Sequence, residues 1–118
     1  MLKNWNAHFQ RDPAKARFIL AKSAAKQAGH IWEITLEQFR VLNALPCYYC
    51  AGPLPNKGRG LDRLDNSGDY LMSNVVPCCS ICNMLRGDNF TPAETKVAIR
   101  AIQAYRKTQQ ETSTSWTN

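Results

Sequence analysis

The stretch that decides the fold begins with Cys47-Tyr-Tyr-Cys50 and ends with Cys79-Ser-Ile-Cys82. Two-residue spacing lets both thiolates of a pair converge on one ion, and two such pairs complete the four-sulfur shell of structural zinc. Residues 46–90 have few periodic apolar positions, so burial of apolar side chains alone cannot order them. The sequence therefore predicts a zinc ion held by Cys47, Cys50, Cys79 and Cys82.

The fifth cysteine, Cys78, directly precedes one of these expected ligands. Neighbouring side chains of a strand point to opposite faces, so Cys78 is predicted to point away from Cys79 as a small buried apolar residue. The alternative for the other four, reduced cysteines of an ordinary core, is disfavoured because each pair lies in a turn context beside Pro or Gly. A closed four-sulfur site has no open coordination position, so any chemistry must lie elsewhere.

Helix-start signals mark three helices outside this segment. The first begins after Asp12 and stops at Gly29, the second begins at Thr35, and the third begins at Thr91. The third is expected to continue to about Tyr105 or Lys107. Its apolar side chains at helical spacing are expected to be buried: Val97, Ile99, Ile102 and Tyr105.

The length of 118 residues fits one domain, which we place at residues 1–108. The remaining residues, 109–118, are polar and are expected to form a disordered tail.

Fifteen Lys and Arg residues against nine Asp and Glu give a net charge of +6. This excess favours a polyanion as partner, either nucleic acid or an anionic membrane surface, although charge also serves solubility. No apolar run approaches the length of a membrane span or resembles a signal peptide, so no membrane role is predicted. The expected compartment is a reducing cytoplasm, bacterial or that of a virus-infected cell, where cysteines more often bind metals than form disulfides.

Between the cysteine pairs, the pattern predicts a strand, a loop, a second strand and a short helix from near Ser80 to Gly87. This arrangement resembles the ββα-metal core of the HNH endonucleases, in the branch in which two C-x-x-C knuckles flank the core. The resemblance implies an α+β fold with a small ββα-metal (HNH) core at about residues 46–90. A structural zinc held by the four cysteines is expected to staple this core, and N-terminal and C-terminal helices are expected to flank it.

The resemblance also implies roles for individual residues. Asp62 and Asn83 fall on the positions that hold a catalytic divalent metal, Mg²⁺ or Mn²⁺, and Asn74 falls on the loop-orienting position. Arg63 stands where most members have the general-base histidine, which makes this chain similar to an Asp-Arg variant found in restriction and phage-type enzymes. Arginine stays protonated, so Arg63 is expected to contact the scissile phosphate rather than accept a proton.

The residue that acts as general base is therefore not assigned by the resemblance. His30 is the leading candidate; His8, Tyr48 and Tyr49 are alternatives, and both tyrosines more often have a packing role around zinc. Contacts with the DNA backbone are expected from Lys57, Arg59 and Arg86. The basic residues of the first helix either line a solvated face or supplement these contacts: Lys15, Arg17, Lys22 and Lys26.

The predicted function is a metal-dependent DNA endonuclease that hydrolyses phosphodiester bonds. Two alternatives stay open: a non-catalytic zinc-containing nucleic-acid-binding module derived from such a nuclease, and a zinc ribbon that mediates protein contacts. Cutting of both DNA strands by so small a domain would need a homodimer or a second binding event.

Overall fold

The computed structural model describes residues 10–54 and 59–113, with side chains described as far as residue 111. Two residues named above, His8 and Lys57, lie outside the described ranges. The elements in chain order are α1 (Pro13–Gln27), α2 (Leu36–Asn43), β1 (Leu61–Arg63), β2 (Val75–Pro77), α3 (Ser80–Arg86) and α4 (Pro92–Ser113). The predicted α+β class is confirmed, and so is the order strand, strand, helix.

The helix starts follow the capping signals of the sequence. The Asp12 carboxylate accepts a hydrogen bond from the Lys15 backbone N–H at the start of α1. Thr35 and Gln38 form a complete capping box at the start of α2. These bonds satisfy backbone N–H groups that have no partner within their own helix.

Strands β1 and β2 form a short antiparallel hairpin that separates two small cores. Its register pairs Leu61 with Pro77, Asp62 with Val76, and Arg63 with Val75. Leu61 and Val75 pack with buried side chains of α1 and α2, whereas Val76 packs with the cysteines and with Ile99 of α4. Because a two-stranded sheet of this size is not stable alone, the hairpin depends on both cores.

Arg17 of α1 differs from its sequence-based expectation. Its side chain is 4 % exposed, so it neither lines a solvated face nor reaches phosphate. Its Nη1 donates a hydrogen bond to the side-chain oxygen of Asn43, and α1 and α2 enclose it together. Lys15, Lys22 and Lys26 are exposed, as expected.

Helix α4 departs from its predicted burial. Ile99 and Thr95 are buried, but Val97 and Tyr105 are 67 % and 65 % exposed. Ile102 is also exposed, as is every residue from 101 to 111. The prediction was right for Ile99 and wrong for Val97, Ile102 and Tyr105, because helical periodicity identifies an apolar face but not whether another element covers it.

The end of α4 also differs from expectation. The helix reaches Ser113, beyond the predicted end near Tyr105 or Lys107, and so includes the first residues of the segment expected to be a disordered tail. The sequence after Pro92 contains no Gly or Pro that would stop it. Residues 114–118 lie outside the described part of the chain. Within that part, no helix is both long enough and apolar enough to cross a membrane.

Gly60 offers a test of the packing between α1, α2 and β1. Its φ is +75°, and an added Cβ would lie 2.8 Å from Cδ of Arg17 and 3.0 Å from Oδ1 of Asn43. Gly29 is a matched control, because its φ is +81° but an added Cβ would meet nothing within 4 Å. We expect Gly29→Ala to lower the free energy of unfolding by about 1–2 kcal/mol and Gly60→Ala by about 2–4 kcal/mol. Chemical denaturation of the zinc-loaded proteins measures both; equal losses would show that the contact at Gly60 relaxes without cost.

Candidate active site and metal centre

The structure brings the four predicted cysteine ligands together. The Sγ atoms of Cys47, Cys50, Cys79 and Cys82 all lie within 4.8 Å of one another, and those of Cys50 and Cys79 are 3.9 Å apart. A tetrahedral zinc ion with Zn–S bonds of about 2.3 Å requires sulfurs roughly 3.8 Å apart. The cluster is therefore able to bind zinc.

Backbone N–H groups point at the sulfurs of this cluster. Gly52 N donates to Cys50 Sγ, Cys79 N to Cys47 Sγ, and Cys82 N to Cys79 Sγ, at 3.4–3.5 Å. Burial raises the pKa of Cys47, but hydrogen bonds from backbone N–H groups outweigh it and lower this pKa to about 7. A thiolate is the form that binds a metal, so the donors to Cys47 match its expected use. Burial raises the pKa of Cys50 and Cys82, so these thiols lose their protons when a metal binds.

The fifth cysteine lies outside the cluster. Cys78 is 1 % exposed, and its thiol donates to the backbone oxygen of Cys79. Burial raises the pKa of Cys78, so the thiol stays protonated. The prediction of a small buried residue that is not one of the four clustered cysteines is confirmed.

Asp62 of β1 is a buried carboxylate whose two oxygens have different surroundings. Its side chain is 6 % exposed. Oδ2 accepts hydrogen bonds from the Tyr49 hydroxyl at 2.5 Å and from Arg86 Nη1 at 2.6 Å. Across the described residues, Oδ1 accepts no hydrogen bond, so one oxygen of Asp62 stays free to bind a metal.

Tyr49 holds Asp62 and does not fit the role of general base. Burial, together with the neighbouring Asp62 carboxylate, raises the pKa of Tyr49 far above its ordinary value. The hydroxyl therefore stays protonated and donates to Asp62 at neutral pH.

Asn83 of α3 faces β1 from the helix. Its Nδ2 donates to the backbone oxygen of Leu61 at 3.4 Å, which leaves the amide oxygen as the group available for a metal. Asn83 and Arg59 line the same open cavity of about 260 Å³, together with Gly60, Cys78, Ser80 and Met84.

Arg63 lies in a second group of side chains, beyond the end of β1. Its hydrogen-bond partners differ from those of Asp62, the preceding residue of β1. Arg63 Nη1 donates to the backbone oxygens of Asn66 and Gly68 at 2.8 and 2.7 Å. The same nitrogen lies 3.5 Å from Nδ1 of His30.

The chain after α1 carries His30 to this position. Tyr70 N donates to Ile31 O at 3.0 Å, and Glu33 N donates to Tyr70 O at 2.9 Å, so this segment pairs with the chain beside Tyr70. The Asp69 carboxylate accepts from Ile31 N at 3.0 Å and lies 4.0 Å from His30 Nδ1. His30 and Arg63 are thus adjacent although they are far apart in the sequence.

Asn74 binds the loop between the two strands. Its side-chain oxygen accepts from Asp65 N at 2.9 Å, and its Nδ2 donates to the backbone oxygens of Asp65 and Asp69 at 3.1 and 3.0 Å. These bonds fix the loop that presents Asp69 to His30.

The expectation that Arg86 contacts DNA is wrong. Arg86 is 3 % exposed and forms an ion pair with Asp62 at 2.6 Å. The last turn of α3 faces the hairpin, so the guanidinium points into the protein and not toward solvent.

The comparisons with known proteins agree with this architecture. The structure of the rare-cutting HNH restriction endonuclease PacI is similar to this chain, with a TM-score of 0.67, 81 % of each chain covered and 22 % sequence identity. The chain has an HNH endonuclease fold. No protein family model matches the sequence. A stretch of 70 residues, 59 % of this chain, is 33 % identical to an uncharacterised protein, R423, of Acanthamoeba polyphaga mimivirus. The chain spans 13 % of the length of that relative.

Several residues around the HNH fold's candidate site were not assigned from the sequence. Asp69 and Tyr70 join the His30 group, and Arg63 lies over the Tyr70 ring with its Cζ 5.3 Å from the ring centroid. Tyr49 and Arg86 were named, but for other roles. One sequence signal could have predicted the burial of Arg86. It lies one turn after Asn83 and on the same face of α3 as Cys82, which is the face that packs on the hairpin.

The metal centre of this HNH fold gives a prediction with a neighbouring control. We expect the purified protein to carry tightly bound zinc and to lose its folded circular dichroism spectrum when a strong chelator removes the metal. Cys79→Ser should lose most of the bound zinc, whereas Cys78→Ala should keep it and cost only about 1 kcal/mol of packing. Metal analysis by mass spectrometry and thermal unfolding measure both effects. Equal zinc content in the two variants would contradict the assignment of the ligands.

Proposed function

We propose that this chain is a metal-dependent DNA endonuclease of the HNH type, which hydrolyses phosphodiester bonds. The observation that carries the proposal is the buried Asp62 of an HNH fold, whose Oδ1 accepts no hydrogen bond from the described residues. The similarity to PacI, a restriction endonuclease, supports DNA as the substrate, and so does the net charge of +6.

In this proposal, Asp62 Oδ1 and the Asn83 amide oxygen hold Mg²⁺ or Mn²⁺. Both are hard oxygen donors of the kind these ions prefer. When bound, the ion supplies stabilisation of the negative charge that develops on the phosphoryl and leaving oxygens. The four-cysteine cluster holds zinc and has a structural role only, since its four sulfurs leave no position for substrate.

Arg63 is proposed to contact the scissile phosphate. Among the described residues, Arg63 forms its hydrogen bonds through Nη1, and these bonds fix the orientation of the guanidinium. A planar guanidinium can make two parallel bonds to a phosphate and offset its developing charge. The residue cannot replace the missing histidine as a base, because it remains protonated.

His30 is proposed as the general base. Its Nδ1 faces the Arg63 guanidinium, and the Asp69 carboxylate 4.0 Å away offsets positive charge on the ring once it accepts a proton. This position supports a role in deprotonating the water that attacks the phosphate bound by Arg63. Asn74 contributes indirectly by fixing the loop that carries Asp69.

Arg59 is the proposed contact with the DNA backbone on the Asn83 side. It lines the cavity shared with Asn83 and a second open cavity of about 360 Å³ against α1. A phosphate chain that passes Asn83 would therefore also pass Arg59. Lys57 stays a sequence-based expectation, as does a homodimer for cutting both strands. The proposed compartment is the cytoplasm.

A second candidate is a non-catalytic nucleic-acid-binding module with the same fold. One observation favours it: the proposed metal ligand Asp62 already forms a buried ion pair with Arg86, which gives the carboxylate a structural role. Supercoiled plasmid separates the two functions, because only an enzyme converts it to open-circular or linear DNA.

The decisive substitution is Asp62→Asn. Asp62→Ala would leave Arg86 buried without its partner and cost about 3–5 kcal/mol, so loss of activity would be ambiguous. Asn keeps the shape and one acceptor for Tyr49 and Arg86 but removes the carboxylate. We expect at least about a hundredfold slower plasmid nicking in Mg²⁺ or Mn²⁺, with DNA binding measured without divalent metal retained. Asp88→Ala, an exposed acidic residue after α3, should nick like the wild type. Full nicking by folded Asp62→Asn would exclude the proposed role.

His30 gives a separate prediction for the base. We expect His30→Ala to nick DNA about a hundredfold to a thousandfold more slowly without a change in DNA affinity. Added imidazole should restore part of the lost rate, which a merely structural role for the ring would not allow. Single-turnover rates of plasmid nicking with and without imidazole measure this; an undiminished rate in the variant would assign the base elsewhere.

A further inference from the structure

The guanidinium of Arg86 is buried, and hydrogen bonds hold it in the interior of the fold. Its Nε donates to Phe90 O at 3.0 Å and its Nη2 to Leu64 O at 2.8 Å. Its Nη1 donates to Asp62 Oδ2 at 2.6 Å and also to the backbone oxygen of Arg63. Because all three nitrogens have partners and the side chain is 3 % exposed, the guanidinium cannot swing away from Asp62.

The consequence is a candidate metal site with little negative charge of its own. The charge of Asp62 is offset by Arg86 at 2.6 Å, and the other proposed ligand, Asn83, is neutral. Among the described residues, the four cysteines form the one group of three or more His, Cys, Asp or Glu able to share a metal, so Asp62 belongs to no such cluster of ionised ligands. Such a site attracts a divalent cation weakly.

We propose that Arg86 neutralises Asp62 and thereby makes cation binding at this carboxylate depend on the phosphate of bound DNA. This inference rests on the proposed function, and it adds a positioning residue and an order of assembly to it. The phosphate supplies the negative charge that the protein withholds, so the cation binds tightly only when the substrate is present. By linkage, the cation tightens DNA binding by the same factor.

The arrangement also fixes how Asp62 can bind a metal. Tyr49 and Arg86 both occupy Oδ2, so the carboxylate offers a single oxygen, Oδ1. A carboxylate that binds through one oxygen leaves more coordination positions open for phosphate and water than one that binds through two. The two donors thus set both the charge and the geometry of the ligand.

Manganese binding tests the dependence on DNA directly. Mn²⁺ is titrated into zinc-loaded protein, and free Mn²⁺ is followed by its electron paramagnetic resonance signal. Three samples are compared: protein alone, protein with a short phosphodiester duplex, and protein with a duplex of the same sequence that carries uncharged methylphosphonates. Asp62→Asn in each sample subtracts Mn²⁺ bound by the DNA or by other sites. Binding is read before detectable cleavage, because the phosphomonoester that hydrolysis produces carries more negative charge than the phosphodiester.

We expect Asp62-dependent Mn²⁺ binding to be at least about tenfold tighter with the phosphodiester duplex than without DNA or with the uncharged duplex. Equally tight Asp62-dependent binding in all three samples would overturn the inference and leave the proposed function standing. No Asp62-dependent binding in any sample would instead remove the proposed metal site, and the inference with it.

Substitution of Arg86 tests its part in this coupling. Arg86→Gln removes the charge, and we expect DNA-free Mn²⁺ binding to tighten by about tenfold or more in the folded variant. Arg86→Lys is the matched control, because it keeps the charge and should keep the DNA dependence. Unchanged weak binding by a folded Arg86→Gln protein would overturn the role of Arg86. Should that variant not fold, the comparison of DNA samples with the wild type still decides the inference.

Discussion

The convergence of four cysteine sulfurs is the constraint on which the rest of the structure depends. The hairpin has three residues in each strand, and such a pair of strands cannot hold its register alone. The first cysteine pair is bound to β2 through Tyr48 N and Pro77 O, and the second begins α3. A metal bound by both pairs therefore fixes the hairpin and the helix against each other. Its binding free energy is then part of the folding free energy of the segment.

A second constraint, the buried contact between Asp62 and Arg86, acts on the same hairpin from its other end. Buried ion pairs often add little net stability, because removing both charges from water costs about as much as their attraction returns. Here Tyr49 donates to the carboxylate oxygen that Arg86 contacts, and backbone oxygens accept from the guanidinium. It specifies one position for Asp62 and does so with a side chain that also carries positive charge into the candidate site. In the proposed mechanism, Arg86 thus both fixes the position of Asp62 and weakens the attraction of this carboxylate for a cation.

The sequence predicts this structure well where a local rule decides the outcome. The cysteine spacing, the cap at Thr35 and the order of strands and helix are each read from a few neighbouring residues. It predicts poorly where the outcome depends on which elements meet. Arg86 is a charged residue at the end of a helix, a position that is usually on the surface, and only the packing of α3 on the hairpin buries it. Val97 and Tyr105 have the spacing of a core face, yet the described fold leaves them exposed. For the site, residue types could be predicted, but their partners Asp69, Tyr49 and Arg86 could not.

Two neighbouring residues of β1 have partners from different parts of the chain. Asp62 faces the cysteine core and α3, whereas Arg63 faces His30 and Tyr70. The two groups have separate supports: the metal half belongs to the cysteine-stapled segment, and the half with His30 depends on the chain that follows α1. A chain reduced to residues 46–90 would keep Asp62 and Asn83 but lose the proposed base. In the proposed mechanism, His30, which the chain after α1 places beside Arg63, supplies the base that an arginine on β1 cannot.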